Sequence, residues 1–483
     1  MITRMDKYVS KQKQIYTWLN QVSTKLLAVL SVHVFFLVLI VLVDELDYRA
    51  KVSLFAFLSA MTLWIVTKFP AGFVAIVLIL FIILLKAGNP ELLYNALAEE
   101  VVWLMIGSFI IGEAVKQSGL AERYSQYLLS RSKQKSHALF GITSILFGSA
   151  FFIPSTSGRA ALSMPIIKQL YSKFSPKEQS VLAIMTPVII LMSTSATLIG
   201  AGSHIIGISL LENTVGESIS YIQWLIWGGP FALFITLISF TIIKWMWWPK
   251  DGSKEIEDVK VQEIPVLRQP LNKSEKKTVM LISFLIIGWV TESLHGYGIA
   301  LITMIGAVLF MLPNYGVVSW KQGMKSVSWN LIIFVAAATA LGKVLVDTGV
   351  VHWIEQKMFR MLHLFVDAPE WLIVFVILLV TVTSHLYITS HTTRAVVFIP
   401  SLIVFSEIIG VNAATVVFLG LIGMNYCVTF PVSSKALLLF YEEGDISYDA
   451  RYLVKVSAVL MPLYIFVTMM FYFSYWQWAG MHV

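Results

Sequence analysis

One cysteine, Cys427, stands in 483 residues, which excludes an internal disulfide. Charge is scarce too. Asp, Glu, Lys and Arg make up 13% of the chain, against 57% hydrophobic residues and a mean hydropathy of +0.78. Between the apolar runs, long polar stretches are missing apart from residues 249–277. Enzyme signatures are missing as well: there is no H-E-x-x-H, no G-x-S-x-G, no G-x-x-x-x-G-K and no Cys–His cluster of the zinc-binding kind. Neither catalysis, nor a cofactor, nor a metal is expected.

What fills the chain is apolar sequence. Runs near the ~20 residues needed to cross a bilayer recur at 26–43, 221–245, 279–290 with its flanks, 371–386 and 454–475. The first run follows a polar, basic stretch that is too long for a signal peptide and lacks a small-residue cleavage site, so it reads as a retained span. The net charge of +7 lies in loops beside spans. Lys7, Lys11, Lys13 and Lys25 precede the first span. Arg123, Arg131, Lys133 and Lys135 form a second cluster, and Lys168, Lys173 and Lys177 a third. Such loops stay in the cytoplasm, so the N-terminus is expected there, and nucleic acid is not an expected partner. The acidic segment 212–220 is expected outside. Trp245, Trp247, Trp248, Trp476 and Trp478 suit either an aromatic belt or helix packing.

One short pattern occurs twice. Ser155-Thr156-Ser157-Gly158-Arg159-Ala160 is followed by Pro165, and Ser390-His391-Thr392-Thr393-Arg394-Ala395 by Pro400. Other landmarks recur in the same order. Gly112 to Leu120 resembles Gly342 to Val350. A small-residue interruption, Gly200-Ala201-Gly202-Ser203, is matched by Pro431-Val432-Ser433-Ser434. The segments around each Ser motif are too short to cross, which predicts a re-entrant hairpin with the motif at its tip. Irregular backbone at membrane depth is tolerated only where it is buried in protein or lines a cavity. The expected fold is therefore all-α and polytopic: about eleven transmembrane helices plus two re-entrant hairpins in inverted-topology repeats. Residues 1–50 would form the cytoplasmic N-terminus and first helix, 51–248 the first repeat, 249–277 a cytoplasmic linker and 278–483 the second repeat. Inverted repeats with broken helices are a mark of secondary transporters.

An arginine in hydrocarbon costs at least about 2.5–3.5 kcal/mol, so Arg159 and Arg394 are functional candidates by default. Helix N-termini at the breaks suit a carboxylate or sulfate. Ser155, Thr156, Ser157, Ser390, His391 and Thr392 would bind the anion at the tips, together with Gly200, Ala201, Pro431 and Val432 at the breaks. Arg159 and Arg394, one turn beyond the motif serines, could reach back to the tip with a fork suited to carboxylate. Two guanidiniums favour a divalent anion. His204 and Lys435 occupy related places after the breaks and could line the cavity. Glu113, His33 and Cys427 lack counterparts and read as structural.

At these residues the chain resembles the divalent anion/sodium symporter (DASS) family. Its members carry a Ser-Asn-Thr motif at each tip, with proline ten places after the serine. Their T-L-I-G-T-P-P-N break resembles Thr197-Leu198-Ile199-Gly200-Ala201-Gly202-Ser203-His204. The resemblance covers roughly residues 50–480 and implies a usually dimeric protein with an elevator-type transport domain. It departs at the cation sites. Thr156 and His391 replace the motif asparagines. Phe151 and Leu386 stand where a ligating hydroxyl is expected, and His204 and Lys435 replace the break asparagines. Arg159 and Arg394 place fixed positive charge where a hard cation needs oxygen. This looks like the exchanger branch, in which protein cations replace sodium and Arg159, Arg394, His391, His204 and Lys435 compensate the charge. The function implied is sodium-independent exchange of dicarboxylates of the malate, succinate and 2-oxoglutarate class, by a homodimer embedded in lipid in a bacterial plasma membrane. Sodium- or proton-coupled symport is the alternative.

Overall fold

The computed structural model describes residues 24–67, 69–120, 123, 134–151, 153, 155–171, 174–249, 270–362, 368–442 and 447–482. Lys7, Lys11, Lys13, Arg131, Lys133, Lys173 and most of the 249–277 linker lie outside them. The described residues are helical, with no strand among them. The longer helices are α1 (Thr24–Val41), α2 (Tyr48–Val66), α3 (Ala71–Leu84), α4 (Glu100–Ser118), α5 (Lys135–Gly148), α6 (Thr156–Tyr171), α7 (Pro176–Met192), α8 (Gly202–Val215) and α9 (Tyr221–Trp247). They continue as α10 (Lys273–Val290), α11 (Ile299–Met311), α12 (Trp329–Asp347), α13 (Val350–Leu362), α14 (Glu370–Thr383), α15 (His391–Ile409), α16 (Ala413–Asn425), α17 (Lys435–Glu442) and α18 (Ala450–Phe471).

The series from α2 to α9 recurs from α10 to α18, where α13 is the one helix without a counterpart among the described residues. Gly119 and Gly349, paired by the sequence pattern, close α4 and α12 with φ of +80° and +74°, a left-handed turn that glycine takes without a Cβ penalty. The orientation of the two series follows from α9 and α18. Trp247, at the end of α9, packs on Tyr452 near the start of α18, with ring centroids 4.4 Å apart. At the other end, Trp476 Nε1 donates to the Trp227 carbonyl at 2.8 Å. These equivalent helices are antiparallel, so the repeats are inverted. The 27 residues of α9 span about 40 Å. Lys244, near its C-terminal end, donates to Ser136 at the base of the first hairpin, 2.8 Å away. Glu217, just before its N-terminal end, accepts from the Ala414 amide beyond the second hairpin, 3.2 Å away. The hairpins therefore open to opposite faces.

Among the described residues, five helical stretches are long and apolar enough to cross a membrane: 176–196, Tyr221–Trp247, Trp329–Asp347, His391–Ile409 and 450–476. Others are shorter, such as α3 with 14 residues and α16 with 13. At ~1.5 Å per residue these span about 20 Å, and beyond α16 the chain continues through a non-helical break into α17. Length alone would count α15 as a span. It is instead the second limb of a hairpin whose first limb is α14, the two joined through a 3₁₀ turn at Ser384–Leu386.

Packing sorts the helices into two groups. In one, α4 packs on α11, α3 on α12 and α2, and α10 on α11. In the other, α15 packs on α8 and α16, α6 on α17 and α7, and α9 on α7 and α18. The half-helices are exchanged: α8 of the first repeat packs on the second hairpin, and α17 of the second repeat on the first hairpin.

Candidate functional site

The motif serines are not loose hydroxyls on a turn. Each caps a helix. Ser155 Oγ accepts from Gly158 N at 3.2 Å, and Ser390 Oγ from Thr393 N at 3.3 Å, so α6 and α15 begin within the motif. The cap serine also bonds the motif's third residue in both copies: Ser155 to Ser157 at 3.0 Å and Ser390 to Thr392 at 3.0 Å. The two tips are equivalent down to single atoms.

The breaks are equivalent as well, in a register that shifts the pairing of Gly200–Ser203 with Pro431–Ser434 by two residues. Thr197 (φ −136°, ψ 154°) matches Phe430 (φ −124°, ψ 150°), and Ala201 (φ −147°, ψ 147°) matches Ser434 (φ −151°, ψ 142°). A single 3₁₀ turn lies between in each case, Leu198–Gly200 and Pro431–Ser433. Lys435 is thus the counterpart of Gly202, not of His204, because both open a half-helix. The same register pairs Cys427 with Thr194, so Cys427 has the counterpart that the motif comparison left it without.

The tips and breaks converge on one cavity of about 220 Å³. It is lined by Ser155, Thr156 and Ser157, by Ser390, His391 and Thr392, by Ala201, Gly202 and Ser203, and by Val432, Ser434 and Lys435. Four helix N-termini (α6, α8, α15 and α17) therefore meet at its wall. Each offers unpaired N–H groups and a partial positive charge. Met105 and Ser108 of α4 and Leu331 of α12 close the remaining side, where the two helix groups meet. Three buried polar atoms of cavity-lining residues have no hydrogen-bond partner: Ser108 Oγ, Ser203 Oγ and His391 Nδ1. Such an atom costs about 1–3 kcal/mol if left unpaired, which marks the cavity as a place for a polar ligand.

The arginines lie elsewhere than direct contact requires. Arg159 and Arg394 are 1% and 0% exposed, and neither lines this cavity. Arg159 turns behind its tip into the first break, donating to Ser193 Oγ at 3.0 Å, Thr194 Oγ1 at 2.6 Å and the Gly200 carbonyl at 3.4 Å. Arg394 does the same in the second break, donating to the Tyr426 carbonyl at 3.2 Å and Ser384 Oγ at 3.5 Å, with the Cys427 thiol beside it. Both terminal nitrogens of Arg159 bond protein oxygens, whereas Arg394 bonds through Nη1 alone and its Nη2 and Nε have no partner; neither side chain lines the cavity, so their charge reaches it through the field. Among the described residues no carboxylate pairs with either guanidinium; the ion pairs there join other residues.

Three other expected positions differ in placement. Gly200 and Pro431 sit one step behind the cavity wall. His204 does not line the cavity; it is fully buried between Trp224 (ring centroids 4.5 Å) and Asn425 Oδ1 (2.9 Å). His391 does line it, with Nε2 held 2.9 Å from the Cys427 sulfur. Lys435 is the exposed cation at the wall. Ser108, Ser193, Thr194, Ser384, Ser434 and Asn425 were not anticipated. Asn425 donates to Ser195 Oγ at 2.9 Å while bonding His204, and so joins the two repeats behind the cavity. Its place directly before the second break, in an apolar helix, was the available signal.

Comparison with known proteins decides the family. The description "sodium:sulfate symporter transmembrane region" matches residues 20–482. The chain belongs to this family, the divalent anion/sodium symporters. A protein of Cupriavidus necator described as a membrane protein is 24% identical over 389 residues, covering 78% of this chain and 74% of that protein. The sodium-dependent dicarboxylate transporter SdcS of Staphylococcus saprophyticus is 21% identical over 455 residues, covering 86% and 85%. The YdaH transporter of Alcanivorax borkumensis has a similar fold, with a TM-score of 0.51 at 12% identity over 78% of this chain and 86% of that one. The chain is thus a member of a family of integral, multi-pass membrane transporters, and not an enzyme.

Proposed function

We propose that the chain exchanges one dicarboxylate for another without sodium. The supporting observation is the pair of buried guanidiniums, each inserted in a helix break beside the tip cavity and neither paired with a carboxylate among the described residues. Each occupies break oxygens that a hard cation would otherwise need. An empty carrier then holds about two uncompensated charges in low dielectric, and each feels about 2.3 kcal/mol per 100 mV if it crosses the full field. A bound dianion cancels them, so loaded carriers move and empty ones do not.

The dianion sits between the tips. Ser155, Thr156, Ser157, Ser390, His391 and Thr392, with Ala201 and Val432 at the breaks, form its binding surface, and Ser108 and Ser203 add hydroxyls. Lys435 at the wall favours a second carboxylate. Movement is of the elevator type: the group holding both hairpins carries the cavity past α4 and α12. The protein works as a homodimer in a bacterial plasma membrane with its N-terminus in the cytoplasm.

Counterflow in proteoliposomes tests this. Labelled succinate should enter vesicles only when they hold malate, succinate or 2-oxoglutarate, equally with and without sodium. A second reading, sodium-coupled symport, is favoured by the description of SdcS as sodium-dependent. Sodium-driven uptake into vesicles lacking internal substrate would establish it and sink exchange.

A further inference from the structure

We propose that a second cavity binds a single-chain carboxylate amphiphile, a free fatty acid of roughly ten carbons, that enters from the bilayer and wedges the first hairpin against α10. This cavity holds about 420 Å³, within the ~300–1,000 Å³ range of small-molecule sites. Its wall includes Leu162 and Ile166 of α6, Ile145 of α5 and Val279, Ile282 and Ser283 of α10. No residue lines both this cavity and the one between the tips.

Its chemistry is that of an amphiphile site. Three further hydroxyls line it, but Ser144, Ser149 and Ser163 each donate to a carbonyl of their own helix turn, Phe140, Leu146 and Ala160. The remaining polar element is Arg159. Its Nε, the donor that the break does not use, has no hydrogen-bond partner, and its charge has no carboxylate partner among the described residues. A fixed positive charge in the wall of an apolar chamber selects an anionic head on an alkyl tail. Space is left beside Gly148, where a Cβ would meet nothing within 4 Å.

The route in is lateral. Ser144, Val279 and Ser283 are exposed at the mouth, and Phe140 of α5 and Met280 and Phe284 of α10 beside it are exposed apolar side chains. The volume admits one alkyl chain and not a phospholipid's two. Because α5–α6 and α10 belong to different helix groups, an occupant touching both opposes their relative movement. That last clause rests on the exchange reading given above; binding itself does not.

The test uses full-length protein and dodecanoate, with a diazirine-bearing dodecanoate as photoprobe. Crosslinks should map to residues around Leu162, Ile166, Val279 and Ile282. They should saturate and be displaced by dodecanoate, weakly by dodecanol, and not by succinate. From C8 to C12 the displacing concentration should fall about fourfold per methylene. Ser283→Trp, made at an exposed position, should fill the mouth and abolish labelling while succinate counterflow persists. In the parent, dodecanoate should inhibit counterflow without raising the succinate KM. Non-saturating labels spread over lipid-facing helices, labelling unchanged in Ser283→Trp, or inhibition relieved by excess succinate would each overturn the proposal. If the protein shows no counterflow at all, the exchange reading has failed, and the crosslink map still decides whether the cavity binds the amphiphile.

Discussion

At the scale of single residues, the site separates into groups that can touch a ligand and groups that act on it from behind. Ser108 and Ser203 are buried hydroxyls of cavity-lining residues without protein partners. Replacing either with alanine removes no internal hydrogen bond. We expect succinate affinity to fall by about 0.5–1.5 kcal/mol, roughly 2- to 12-fold, with no loss of thermal stability. A falling melting temperature with unchanged affinity would give them a packing role instead. Arg159 and Arg394 are different. Their hydrogen bonds hold the breaks, and hydrogen bonds to charged groups are each worth about 1.5–3 kcal/mol. Arg159→Ala should lower exchange by at least about tenfold. Arg159→Lys should not restore it, because one ammonium cannot reach Ser193, Thr194 and the Gly200 carbonyl together. Full rescue by lysine, measured as counterflow rate, would mean that charge alone suffices.

At the scale of elements, the breaks are held by close backbone approach. A Cβ on Gly228 of α9 would stand 2.2 Å from the Ser195 carbonyl in the first break, while one on Gly229 would meet nothing nearer than 3.6 Å. Trp224 Nε1 donates to that same carbonyl at 3.1 Å. Gly228→Ala should therefore push α9 off the break and cost about 1–3 kcal/mol of stability, with exchange lost in step, whereas Gly229→Ala should be tolerated. Equal melting curves for the two variants would show that α9 does not clamp the break. The base of the first hairpin is fixed differently. The ammonium of Lys135 bonds both oxygens of Glu178, at 3.1 and 2.9 Å, in a nearly dry setting. Removing one member of such a pair leaves a buried charge, and Glu178→Gln should cost about 3–5 kcal/mol in unfolding measurements.

At the scale of the whole molecule, the inverted repeats fix which face each hairpin opens to, and charge decides which face is cytoplasmic. Lys135 and Lys177 flank the base of the first hairpin, while the segment 212–220 near the second carries acids and no Lys or Arg. Cysteines at Ser136 and Lys177 should react with an impermeant thiol reagent from the cytoplasmic side, and one at Pro369 from the outside; Cys427, the native thiol, is buried. Labelling of all three from one face would end the two-face arrangement. Exchange of one dianion for another should be nearly insensitive to membrane potential. A clear voltage dependence of counterflow would show that the moving body carries net charge when loaded.

The sequence by itself determined the class of molecule. Its apolar composition excludes a water-soluble fold, its repeated landmarks announce two related halves, and two arginines in hydrocarbon point to an anion. These signals survive because they depend on residue type and order, which neither packing nor side-chain direction can alter. The tertiary structure decided the rest. The register of the breaks moved Lys435 from His204 to Gly202, since backbone dihedrals and not residue chemistry set which positions correspond. Side-chain direction turned Arg159 and Arg394 away from the cavity, into hydrogen bonds with oxygens behind the tips. The cavity-lining serines, Ser108 and Ser203, and the link through Asn425 come from helices distant in sequence, and only the exchange of half-helices between repeats brings them to one place.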